Sequence, residues 1–176
     1  MIPVKKGSTL SRRSFVRNSA IIGAGFFIVP RHVLGRGFIA PSDKLNIAGI
    51  GAGGKGESDL ASFAKSPYVN IVALCDVDAD YAGKTFEAYP KAMRYVDYRE
   101  MFDKEDKNID AVIVATPDHT HAIMAMAAMR AGKHLYCQKP LAHSIYEVRR
   151  LREAAKETGV QTQMGNQGHP NVYRYE

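Results

Sequence analysis

From residue 45 onward, short apolar runs alternate with amphipathic stretches. Residues 45–50 form an apolar run closing in glycine, and 54–65 place Leu60, Phe63 and Ala64 on one helical face. Residues 69–74 predict a second strand. Its Ile71-Val72-Ala73-Leu74 stretch is continuously apolar, as in parallel strands covered on both faces. A helix over 81–89 ends at Pro90, and a weak strand at 94–96 precedes a short helix at 98–103. Residues 110–115 read as a strand stopped by Thr116-Pro117. Residues 121–130 then read as an apolar helix stopped by Gly132, with Met124, Met126 and Met129 in its core face. A strand over 133–137 ends before Lys139-Pro140. Ser144-x-x-Glu147 has capping-box spacing and opens a helix running to Gly159, after which 160–164 is a last strand. Six strands alternating with helices predict an α/β fold: a doubly wound parallel sheet with helices on both faces and right-handed crossovers.

The charge of +6 suggests a nucleic-acid partner until it is divided along the chain. Residues 1–40 hold seven basic residues and no acid, so the remaining 17 basic residues face all 18 acidic ones. No basic surface is left to neutralise phosphates, and nucleic acid drops out as a partner. The basic segment reads Ser11-Arg12-Arg13-Ser14-Phe15, followed by ten uninterrupted apolar residues over 20–29 and then Pro30. Spanning a bilayer takes roughly 20 residues, so this is a signal peptide rather than a membrane span. Ser-Arg-Arg-x-Phe resembles the twin-arginine signal. The expectation is a signal peptide over 1–41, cleaved between 33 and 42 or retained as an anchor. It implies folded export to the periplasm, with only transient membrane contact. Cys75 and Cys137 end strands expected three places apart, about 14 Å at about 4.8 Å per step. A disulfide spans about 7 Å at most, so both are expected to be buried, inert thiols.

The chemistry is concentrated at strand ends. Gly51-x-Gly53-x-x-Gly56 follows a strand and opens a helix, with Asp76 at the end of the next strand. That context is the dinucleotide fingerprint of a Rossmann-type domain. Gly51 permits the turn, Gly53 lets a diphosphate approach the backbone, and Gly56 lets helix and strand pack closely. With Gly54 and Lys55, these residues form the expected phosphate cradle at a helix N-terminus. Asp76 would accept hydrogen bonds from the adenosine ribose and repel a 2′-phosphate, which favours NAD over NADP. No Gly-Lys-Ser/Thr follows the turn, so a P-loop is excluded. His119 and His121 diverge at a helix start with no third ligand nearby, so no metal is expected. His134 and His143 read as surface or packing residues, and His169 as a residue at the domain exit.

Two further strand ends carry Ala115-Thr116-Pro117-Asp118-x-x-His121 and Gln138-Lys139-Pro140, and Gly165-Asn166 closes the last strand. With the glycine loop and Asp76, these motifs make residues 44–169 resemble the Gfo/Idh/MocA oxidoreductase family, its exported sugar-acting branch most closely. The resemblance implies that Thr116, Pro117 and His121 line the nicotinamide side and that Asn166 reaches the cofactor. It also implies that Lys139, with Gln138 in place of the family glutamate, stands between nicotinamide and substrate. Lys139 and His121 are thus the candidate catalytic residues. The implied activity is NAD-dependent oxidation of a sugar or polyol hydroxyl, in a full-length protein that forms a homo-oligomer. Two alternatives are an NAD-dependent glycosidase that oxidises its sugar transiently and a non-catalytic NAD-binding fragment. The nucleotide domain is expected over 42–167. Residues 168–176 would then open a substrate domain that the chain lacks, leaving it little turnover alone.

Overall fold

The structure, a computed structural model, describes residues 43–166. Residues 1–42, with the expected signal peptide, and the last ten residues, including His169, lie outside the described residues. Six parallel strands form one sheet: β1 (Leu45–Ile50), β2 (Val69–Cys75), β3 (Met93–Tyr95), β4 (Ala111–Val114), β5 (His134–Gln138) and β6 (Thr162–Gly165). Their order is β3-β2-β1-β4-β5-β6, so chain progression reverses between β1 and β4. The connecting helices are α1 (Lys55–Phe63), α2 (Gly83–Ala88), α3 (Tyr98–Glu105), α4 (Asp118–Arg130) and α5 (Ile145–Thr158).

Strand alternation sorts the apolar side chains into two cores. Ile47, Ile71, Leu74 and Ile113 pack with Leu60 of α1 and Phe86 of α2. Ala48, Ile50, Val112 and Val114 pack on the other face with Met101 of α3, Met129 of α4 and Leu151 of α5. The expected doubly wound architecture is therefore present, with two helices on one face and three on the other. Both strand-end thiols are buried. Burial, reinforced by the Asp76 and Asp97 charges, pushes the Cys75 thiol up to about 12, and burial alone takes Cys137 to about 12. A thiol attacks as its thiolate, so neither should react with Ellman's reagent at pH 8 while the protein is folded. Both should react on unfolding. A rapid stoichiometric reaction of the native chain would contradict this.

Most element limits differ from expectation by one to three residues, and one difference matters. The helix expected at 121 begins at Asp118, with Pro117 in the cap position and no side-chain cap. Proline supplies a φ of −58° ready for helical continuation, and Asp118 places a negative charge in the first turn, where the helix dipole favours it. The capping box at Ser144 and Glu147 and the left-handed Gly159 cap of α5 are as expected.

Candidate functional site

The carboxyl ends of β1 and β4 diverge where chain progression reverses, the place where open parallel sheets bind ligands. A cavity of about 660 Å³ opens there. One wall is the turn after β1, with Gly51 and Gly53, and another is Ala115, Thr116 and Pro117 after β4. The third comes from the ends of β2 and β3 and includes Asp76, Tyr81, Asp97 and Arg99.

The glycine turn is pinned from three directions. Gly51 N donates to Cys75 O at 2.9 Å, Thr85 Oγ1 donates to Ala52 O at 2.7 Å, and Gly53 N donates to the Asp76 carboxylate at 3.0 Å. Gly51 has φ +82°, and a Cβ there would lie 2.7 Å from the Ala115 carbonyl oxygen. A Cβ on Gly56 would lie 1.7 Å from the carbonyl oxygen of Gly51. Gly56 is therefore required chiefly to close the turn on itself, with the helix–strand approach a looser contact to Ala115 at 3.4 Å. The space beside Gly53, expected to be left for a diphosphate, holds the Tyr81 ring.

The other expected residues divide into those that face the cavity and those that do not. Thr116 and Pro117 line it. His121 does not. Because α4 starts three residues early, His121 sits one turn in and is 1% exposed. Its Nε2 lies 2.7 Å from Thr116 O and its Nδ1 2.7 Å from Pro140 O. Placed between these two carbonyls, it ties together the turns that follow β4 and β5, a different place from the cofactor-facing one the resemblance implied. Lys139 and Asn166 are exposed and stand outside the cavity. Gln138 pairs with Gly165, so Lys139 and Asn166 leave the sheet side by side. The Lys139–Pro140 peptide is cis.

Lys55 does not point into an open anion site; it forms an ion pair with Asp59 one helical turn on. Asp59, a residue the sequence did not single out, is 5% exposed and also accepts a hydrogen bond from Gln138 Nε2. Gln138 Oε1 in turn accepts from Lys139 N at 3.2 Å. Asp59, reaching in from α1, thus places a carboxylate beside the uncharged amide at position 138. Gly165 leaves room for this amide, since a Cβ there would fall 2.8 Å from Gln138 Nε2. The wall formed by Val96, Asp97, Tyr98 and Arg99 was also missed, although its position after a strand end is a usable signal.

A reversal-point cavity with a glycine turn, a helix N-terminus and a strand-end carboxylate defines a dinucleotide-binding α/β domain. The Gfo/Idh/MocA family model, described as an oxidoreductase family with an NAD-binding Rossmann fold, matches residues 17–166, and the chain belongs to this family. Among curated relatives, inositol 2-dehydrogenase of Salmonella typhimurium is 34% identical over 118 residues, 66% of this chain and 34% of the relative. A glycosyl hydrolase family 109 protein of Saccharopolyspora erythraea is 29% identical over 178 residues, 87% of this chain and 38% of the relative. The chain therefore spans little more than a third of these relatives' length. A probable dehydrogenase from Thermotoga maritima superposes with TM-score 0.63 at 30% identity, covering 69% of this chain and 36% of that one. GenD2 from gentamicin A biosynthesis, solved in complex with NAD, superposes with TM-score 0.65 at 28% identity, covering 70% and 34%.

Proposed function

We propose that the chain is the nucleotide-binding domain of an NAD-dependent oxidoreductase that acts on a hydroxyl of a sugar or polyol. The observation that carries this reading is the cavity at the sheet's reversal point, with the Asp76 carboxylate bonded to the glycine turn at its edge. The residues fit a dinucleotide. The turn is so closely folded that only glycine is accommodated at 51 and 56, and it leads into the N-terminus of α1, the helix end that favours an anion. Gly51 would shape the turn, Gly53 and Gly54 would let the diphosphate reach the backbone at the α1 N-terminus, and Asp76 would hold the adenosine ribose. Thr116 and Pro117 would face the nicotinamide, which supplies a hydride acceptor when bound. Lys139, exposed at the end of β5, would polarise or deprotonate that hydroxyl through Nζ. Gln138 and Asp59 hold its backbone in place.

Three carboxylates, Asp76, Asp78 and Asp97, line the ribose end, and the Arg99 guanidinium there is engaged by Asp97 at 2.8 Å. A 2′-phosphate would meet net negative charge, so NAD is preferred over NADP. Calorimetry of the chain should show NAD binding at least about tenfold tighter than NADP. Asp76→Asn keeps an acceptor for Gly53 N but removes the charge, and should shift the NAD/NADP ratio by about tenfold toward NADP. Equal affinities in the unsubstituted chain would overturn the preference, and no binding of either would overturn the reading.

The glycosidase reading is retained because glycosyl hydrolase family 109 relatives align over 87% of the chain, against 66% for inositol 2-dehydrogenase. Incubating the full-length protein with polyols, sugars and glycosides separates the two. Net NADH formation supports the oxidoreductase, whereas glycoside cleavage with no net NADH supports the glycosidase. The Ser11-Arg12-Arg13-Ser14-Phe15 segment, which resembles a twin-arginine signal, supports a periplasmic location for either.

A further inference from the structure

We propose that Tyr81 sets the affinity of the dinucleotide site: its ring lies across the glycine turn, and a bound diphosphate displaces it. This inference rests on the dinucleotide reading above. A Cβ on Gly53 would fall 2.2 Å from the ring carbon Cδ1 of Tyr81, and one on Gly54 would fall 2.0 Å from its hydroxyl. The aromatic side chain therefore rests against the bare backbone of two consecutive glycines, at the start of α1. That is the surface the second glycine of a dinucleotide turn leaves open for the diphosphate. Ring and diphosphate cannot both occupy it.

Two observations indicate that the ring is the part that moves. Tyr81 is 64% exposed and belongs to neither apolar core, so little packing holds it. The turn that carries it is held by backbone bonds, from Ala82 N to Asp78 O at 3.0 Å and from Gly83 N to Asp80 O at 3.2 Å, and by side chains. Tyr81 N donates to Asp78 Oδ1 at 2.9 Å, and Asp78 N donates to Asp76 Oδ1 at 3.0 Å. The other Asp76 oxygen accepts from Gly53 N. The relay thus begins and ends at the glycine turn, and its hub is the carboxylate expected to receive the ribose hydroxyls. Each Asp76 oxygen accepts one N–H and keeps a second lone pair, so ribose hydroxyls can bond the same carboxylate while the turn stays fixed and the ring alone swings away.

The full chain can be titrated calorimetrically with NAD. Tyr81→Ala should bind NAD about tenfold more tightly than the unsubstituted chain, equivalent to about 1.4 kcal/mol. Tyr81→Phe keeps the ring and should bind like the unsubstituted chain. The chain contains no tryptophan, so Tyr81→Trp places a single indole over the turn. Saturating NAD should shift its emission to the red as the indole enters water. Unchanged affinity in Tyr81→Ala would overturn the proposal, as would weaker binding in Tyr81→Ala or Tyr81→Phe, or an unmoved indole spectrum at saturation. In each of those cases NAD binding itself persists and the dinucleotide reading stands. Absence of NAD binding in the unsubstituted chain overturns both.

Discussion

Gly56→Ala is expected to cost about 3 kcal/mol or more of stability, and dinucleotide affinity should fall by about a hundredfold. An added methyl would lie 1.7 Å from the Gly51 carbonyl oxygen, far inside van der Waals contact, and its obstacle is backbone. The turn cannot yield easily. Gly51 is tied to Cys75 at 2.9 Å, Ala52 to Thr85 at 2.7 Å and Gly53 to Asp76 at 3.0 Å. Opening the turn by more than an ångström would strain these bonds and move the amides that face the cavity. A loss of that size should lower the melting midpoint by about 10 °C. Gly83→Ala is the control, because a Cβ there meets nothing within 4 Å. Within α2 it should stabilise the protein by about 0.5–1 kcal/mol. Equal melting temperatures for the two variants would refute this account of the turn.

The second large effect concerns the buried pair behind Lys139. Gln138→Glu would restore the family's glutamate, yet it should destabilise this protein by about 3 kcal/mol at pH 7. The new carboxylate would take the place of an amide that donates to Asp59, putting two like charges together at sites 4% and 5% exposed. Lys55 can offset only part of this repulsion, because its side chain is 46% exposed. The sign with pH follows. A proton shared between two carboxylates in the folded state relieves the repulsion, so the deficit should be full at neutral pH and shrink as the pH falls toward about 4. Adding Asp59→Asn returns one charge and one amide to the pair, and the double variant should recover to within about 1 kcal/mol of the original chain. Denaturant melts of the four proteins at two pH values test the cycle. If Gln138→Glu melts like the original chain and Asp59→Asn adds nothing, the pair does not hold β5 to α1.

The strands, the caps of α5 and the glycine turn were legible because each depends on residues close in sequence. Apolar runs of four to six mark parallel strands, a Ser-x-x-Glu spacing marks a helix start, and glycine marks a turn that a side chain would block. Asp76 was legible as well, because a strand followed by a turn places its end residue beside the first strand's end whatever the rest of the chain does. His121 was not legible in this way: its expected place came from the family resemblance, and only the folded structure sets its ring between the carbonyls of Thr116 and Pro140.

What the chain alone determined is thus the alternation of elements, the parallel sheet and the dinucleotide-type turn, since these follow from local periodicity and backbone sterics. Only the folded arrangement decided that Asp59 meets Gln138 across 79 residues, that His121 bridges two carbonyls, and that Tyr81 lies on the glycine turn. Those contacts join different elements. Their partners are selected by strand order and by the rotation of each helix against the sheet, quantities set by how the whole core packs and not by any single stretch of sequence.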